Sequence, residues 1–86
     1  MSNKKNIKKD IKEIFNIIFK TPKKKINSNS NNKNIKKWDS LNHVKLIMTL
    51  ESRFKISIKA EDALKLINFK NIEKFLLKKL SKKSNY

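Results

Sequence analysis

The side chains with the most chemical potential in this chain sit together in "WDSLNHVKLIM", residues 38 to 48. Asp39 brings a carboxylate, Ser40 a hydroxyl and His43 the chain's one imidazole. On a helix, positions three apart are neighbours, so Ser40 and His43 could form a nucleophile and its base. That chemistry also needs a third group to orient the base and an oxyanion site, and the sequence offers neither. A plainer role fits the dipeptide equally well: Asp and Ser before an apolar run cap a helix, because their oxygens accept the free amide hydrogens of its first turn.

Composition narrows the field further. Without cysteine there is no disulfide or thiolate site, and one histidine with scattered carboxylates does not make a metal site. A chain of 86 residues supports one small domain, burying only about 60 to 65% of its unfolded surface; we take 1 to 86 as that domain, with 1 to 3 and 82 to 86 as disordered tails. The first apolar run, "IKEIFNIIFK", is broken by Asn16 and ended by Lys20, too short for a secretory or membrane-spanning segment. The expectation is a cytoplasmic monomer that does not insert into membranes.

The net charge of +16 points to phosphate-rich partners such as nucleic acid or an anionic membrane. Yet Lys, Asn and Ile make up over half the residues and there is one Arg, Arg53, as coding drift toward A and T would give. Arginine is the favoured residue for bidentate phosphate and base contacts, so its scarcity argues against specific nucleic-acid recognition.

Helical periodicity predicts the elements that must position Asp39, Ser40 and His43. Ile7, Ile11, Ile14, Phe15 and Ile18 mark a first helix that closes at Thr21-Pro22, since the residue before proline is pushed out of helical geometry. The following "KKKINSNSNNKNIKK" has two apolar residues and is expected to be a long mobile loop, unable to offset its own ordering entropy. A second helix starts at 39 or 40 and runs to about 54; "KISIK" alternates as a short extended piece, "AEDALKLI" makes a brief third helix, and a fourth runs from about 71 to 80. The fourth carries Ile72, Phe75, Leu76 and Leu80 on one stripe, with Asn68 or Asn71 as its cap. The class is all-α.

The second helix has two apolar sectors. Leu46, Ile47, Leu50 and Phe54 form one, and Leu41, Val44 and Met48 the other. One is enough to join a core, so the second must cover another helix, receive a ligand or meet a partner. His43 falls toward the core sector and is expected to be a hydrogen-bonded structural histidine; Trp38 is expected to anchor the loop's end.

The run "DSLNHVKLIMTLESRF" resembles the Asp-Ser-Leu pattern and amphipathic helix of phosphopantetheine-dependent acyl carrier proteins, and the likeness continues through "ISIKAEDALKLINFKNIEKFL", about 35 to 80 in all. The resemblance implies a four-helix bundle with a long loop between helices 1 and 2 and a short third helix. It implies a protein that is no enzyme but a phosphoprotein: a phosphopantetheinyl transferase attaches 4'-phosphopantetheine to Ser40, and the arm's thiol holds an acyl or aminoacyl group as a thioester. Asp39 then also helps hold the metal during that transfer. Leu41, Val44, Lys45 and Met48 match positions that meet partner enzymes, and Ile58, Ala63 and Leu66 match positions beside an acyl groove, with core packing as their plainer role. A helix start suits such a modification, since free amides and the helix dipole favour negative charge there.

Two departures qualify the likeness. Carriers of this family are acidic along this helix, whereas Asn42, Lys45 and Arg53 stand here. Loading and acceptor enzymes are therefore expected to present acidic or apolar docking surfaces, with Lys45 and Arg53 flanking the Val44–Met48 sector. The glycine usual before Asp-Ser is replaced by Lys37-Trp38, which leaves the loop geometry open. A tryptophan at that place points to a specialised pathway, such as polysaccharide or secondary-metabolite acylation. Two other readings remain: a basic helical module binding nucleic acid or an anionic membrane through Lys4, Lys5, Lys8, Lys9 and Lys12, and a degenerate carrier fold kept as a binding subunit.

Overall fold

The computed structural model describes residues 4–83, with side chains over 6–80; the expected tail 1 to 3, residues 84 to 86 of the other and the side chains of Lys4 and Lys5 lie outside these, while 82 and 83, expected in a disordered tail, continue the last helix. Four α-helices follow in order: α1 (Lys4–Phe19), α2 (Ser40–Phe54), α3 (Ala60–Ala63) and α4 (Phe69–Lys83), with a single 3-10 turn over Lys23–Lys25. Among the described residues there is no strand, only an isolated bridge between Asn31 and Asn68. The fold is all-α.

Helix α1 forms the middle of the structure, packing on both α2 and α4. Its buried stripe is Ile7, Ile11, Ile14, Phe15 and Phe19. Phe19 fills the last core position, and Ile18, expected there, is only partly buried. The helix stops because Lys20 turns left-handed at φ 56°, with the Asn16 side-chain Nδ2 donating to the Thr21 carbonyl at 2.8 Å. Helix α2 adds Leu46, Leu50 and Phe54 to the same core, and α4 adds Phe69, Ile72 and Leu76. At the α1–α2 seam Arg53 reaches Asp10 at 3.4 Å and Glu13 at 3.2 Å, exposed pairs of a kind that contribute at most about 1 kcal/mol.

Helix α2 ends where Lys55 turns left-handed at φ 54° and its amide bonds the Glu51 carbonyl. Residues 56–59 then run without regular structure, where a short extended piece is expected, turning Ile58 into the core while Ser57 and Lys59 stay exposed. The Glu51 carboxylate accepts the Ile58 amide at 2.9 Å. Helix α3 is shorter than "AEDALKLI" and passes into turns that bury Leu66. Helix α4 starts two residues earlier than expected. Asn68 caps it, accepting the Asn71 amide at 2.7 Å, so Phe69 enters the helix and the core.

The segment between α1 and α2 corrects the expectation of a mobile loop. Its two apolar residues, Ile26 and Ile35, are both buried, and asparagine side chains take the place of a regular ladder. Asn27 Oδ1 accepts the Asn29 amide at 2.8 Å; Asn31 Oδ1 accepts those of Lys33 at 2.7 Å and Asn34 at 3.1 Å; Asn34 Oδ1 accepts that of Asn31 at 2.9 Å. Short polar side chains that bond nearby backbone make turns of this sort. The segment is also tied to the start of α4: Asn32 donates to the Ile67 carbonyl at 3.0 Å and Phe69 to the Ser30 carbonyl at 2.8 Å.

Two consequences are measurable. The Asn32 and Phe69 amides exchange slowly with solvent, and Ile35→Ala, which empties a buried anchor, lowers the unfolding free energy in urea by about 2 to 4 kcal/mol and speeds both exchanges. Fast exchange of both amides in the parent chain would refute the tied loop.

Candidate functional site

Three local causes place Ser40. Trp38 is buried, lying over Phe19 with ring centroids 4.8 Å apart and planes 24° from parallel. The backbone behind it is held by the Trp38 amide on the Ile35 carbonyl and by the Asn42 side-chain amide on the Lys37 carbonyl, 3.1 and 2.8 Å. Asp39 then caps α2, its Oδ1 accepting the Asn42 amide at 2.8 Å. Ser40, the first residue of the helix, is exposed. The replaced glycine has a structural reason: positive φ is confined to Lys20 and Lys55 among the described residues, so neither Lys37 nor Trp38 takes the conformation for which glycine is needed.

His43 is not aimed at Ser40. Trp38 Nε1 lies 3.0 Å from His43 Nδ1, and His43 Nε2 lies 2.9 Å from the Ala63 carbonyl. An indole nitrogen only donates, so Nδ1 accepts, the proton sits on Nε2, and Nε2 donates to Ala63. Both nitrogens are engaged, which leaves Ser40 without a base from this side chain. The imidazole is a joint instead, linking the end of the loop, α2 and α3.

Around this joint lies an open cleft of about 530 Å³, lined by Asn32, Trp38, Asp39, Ser40 and His43 together with Leu64 and Ile67. Beside it the second apolar sector of α2 is exposed as expected: Leu41 at 66%, Val44 at 54% and Met48 at 62%. Leu64, 76% exposed, and Ile67 extend the exposed apolar surface and were not singled out from the sequence. The only signal was their place in "LKLI", where Leu66 takes the core position and its neighbours cannot.

Other expectations fare differently. Lys45 is exposed beside the apolar sector. Arg53 does not flank that sector as a spare cation, because its guanidinium is engaged by Asp10 and Glu13 across the seam. Ile58 and Leu66 are buried in the core and Ala63 packs against it, so in this closed structure they serve packing. On α1, Lys8, Lys9 and Lys12 line one cleft with Asn6; Lys8 stands 4.0 Å from the buried Glu73, and Asp10 and Glu13 are engaged by Arg53. No family model matches the chain. No curated protein matches it either. Function is therefore argued from the site's own geometry.

The joint has its own test. His43→Ala removes two hydrogen bonds and leaves the indole N–H of Trp38 without its acceptor, lowering stability by about 2 kcal/mol. In the parent chain, nitrogen-15 spectra taken where the imidazole is neutral show the proton on Nε2; a proton on Nδ1 would overturn the assignment.

Proposed function

We propose that this chain is an acyl carrier protein, a four-helix carrier bearing 4'-phosphopantetheine on Ser40. The observation that carries the reading is the placement of Ser40: an exposed hydroxyl on the first residue of α2, beside the Asp39 cap, at the edge of an exposed apolar sector and an open cleft. The residues present fit the group. Ser40 supplies the oxygen for attachment; the amino end of α2 faces the place of a phosphodiester, where the helix dipole favours negative charge; and the cleft gives an arm room beside Trp38, Leu64 and Ile67.

When bound, the group supplies a thiol that holds an acyl or aminoacyl cargo as a thioester. The chain's own residues do the rest. Asp39 keeps the helix start folded and stands next to the site of transfer, where it helps hold the transferase's metal. Leu41, Val44 and Met48 offer apolar contact to a phosphopantetheinyl transferase and to loading and acceptor enzymes, while the exposed Lys45 selects those with acidic or apolar faces. Like charges brought together at an interface cost several kcal/mol, so a basic partner face is disfavoured. Ile58, Ala63 and Leu66 face a cargo only where the core parts to admit it. On this reading the chain is a cytoplasmic monomer of a specialised acylation pathway, with no chemistry of its own.

No helix of the described residues is long and apolar enough to cross a membrane. The alternative of a basic helical module is weakened on α1, where Lys8 stands beside the buried Glu73 carboxylate and the same helix carries Asp10 and Glu13.

Incubation with coenzyme A, Mg²⁺ and a broad-specificity transferase adds one phosphopantetheine by intact mass, and Ser40→Ala adds none. An unmodified parent chain, with a control carrier fully converted and the host's own transferase also tried, would remove the carrier reading. Lys45→Glu slows loading by the cognate enzyme several-fold at low salt, and the difference shrinks as salt screens charges beyond a Debye length of about 8 Å at 0.15 M. Rates identical to the parent at every salt concentration would refute charge-matched docking.

A further inference from the structure

We infer that the folded segment between α1 and α2 holds a binding cleft for compact phosphate-class polyanions. The inference does not depend on Ser40. From 14 to 38 the sequence has seven lysines and no acid, and the asparagine network fixes this segment in one shape. That shape includes a cleft of about 580 Å³, within the size range of small-molecule sites. Lys20, Lys25, Lys36 and Lys37 stand on its lining, Pro22 and Ile35 form part of its wall, and no carboxylate lines it.

Charge bookkeeping decides the sign. The carboxyl end of α1 also borders the cleft through Phe19, and a helix end of that polarity contributes about half a negative charge. Four ammonium groups outweigh it several-fold. Lysine acts on phosphate as a compact point charge, and four on the lining of one cleft suit a ligand carrying two or more charges in a small volume. Lys8, Lys9 and Lys12 of α1 also line a cleft, of about 490 Å³, but they are three rather than four, and Lys8 there stands 4.0 Å from the buried Glu73 carboxylate. Lys20 adds a separate clue. It occupies a left-handed position at φ 56°, as Lys55 does at the end of α2, where glycine would be less strained, and this turn sets Lys20 on the lining of the cleft.

The probe is inorganic pyrophosphate, titrated into the full isotope-labelled chain at 0.15 M salt and followed by amide shifts. Saturable shifts are expected around 20–37. Lys25→Gln with Lys36→Gln weakens binding at least tenfold, while Lys9→Gln with Lys12→Gln, equal in net charge, changes it less than twofold. Equal loss in the two pairs, or shifts spread evenly over all the lysines, would overturn the site in favour of diffuse attraction. Lys20→Gly weakens binding at least twofold while unfolding no earlier in urea than the parent; unchanged binding would remove Lys20 from the site. Ser40→Ala binds as the parent does, so failure of this proposal and failure of the carrier reading are separable. Vesicles of phosphatidylcholine with and without phosphatidic acid identify the natural source. Capture that depends on phosphatidic acid and is lost in the Lys25/Lys36 variant assigns a lipid headgroup, and no capture, with pyrophosphate still bound, assigns a free phosphate ester.

Discussion

The indole of Trp38 lies between two rings, Phe19 at the end of α1 and His43 in the first turn of α2, with the imidazole 6.2 Å away and 22° from parallel. Phe15 meets both Phe19 and Trp38 edge-on, each at 5.2 Å, and Phe69 at 5.8 Å. Aromatic pairs of these geometries contribute about 0.5 to 1.5 kcal/mol each beyond the area they bury, but their larger effect is on geometry. They fix where the loop from α1 returns, and therefore where α2 starts. The polar edge of the indole then orients His43, and His43 holds α3 through Ala63. Without this stack the cap, the exposed serine and the cleft would have no common frame.

Much of this was written in the sequence. The periodicity of Ile7, Ile11, Ile14 and Phe15 dictated α1, and the two apolar sectors of α2 split into core and surface as their spacing required. Asp39 as cap and Ser40 as first helical residue followed from the preference of short oxygen-bearing side chains for helix starts. What was illegible has a physical cause. The segment after α1 has little apolar surface to bury, but its asparagines bond backbone as well as water. Asn27, Asn31 and Asn34 do this work at particular spacings, and composition does not record spacing. Leu64 and Ile67 were missed because a four-residue helix breaks the period that would have assigned their faces.

The carboxylates show a similar economy. Asp10 and Glu13 meet Arg53, Glu51 holds the Ile58 amide, Asp39 caps α2, and Glu73 is buried beside Lys8. The remaining two, Glu61 and Asp62, lie in α3. Five of the seven acids thus have a positional duty in the fold. Most of the lysines carry none that the structure records, and their charge is turned outward. Whether composition arose by drift or selection, its physical effect is a surface that attracts anions.

Trp38 is the chain's one tryptophan, and it is at once a core residue, a neighbour of the imidazole and part of the cleft wall beside Ser40. Ultraviolet emission from this protein at wavelengths that excite indole alone therefore arises from a single known place. Its colour reports how dry that place is, and its intensity responds to whatever comes to rest against the ring. The molecule carries a built-in optical gauge at the serine's doorstep, readable without attaching any dye.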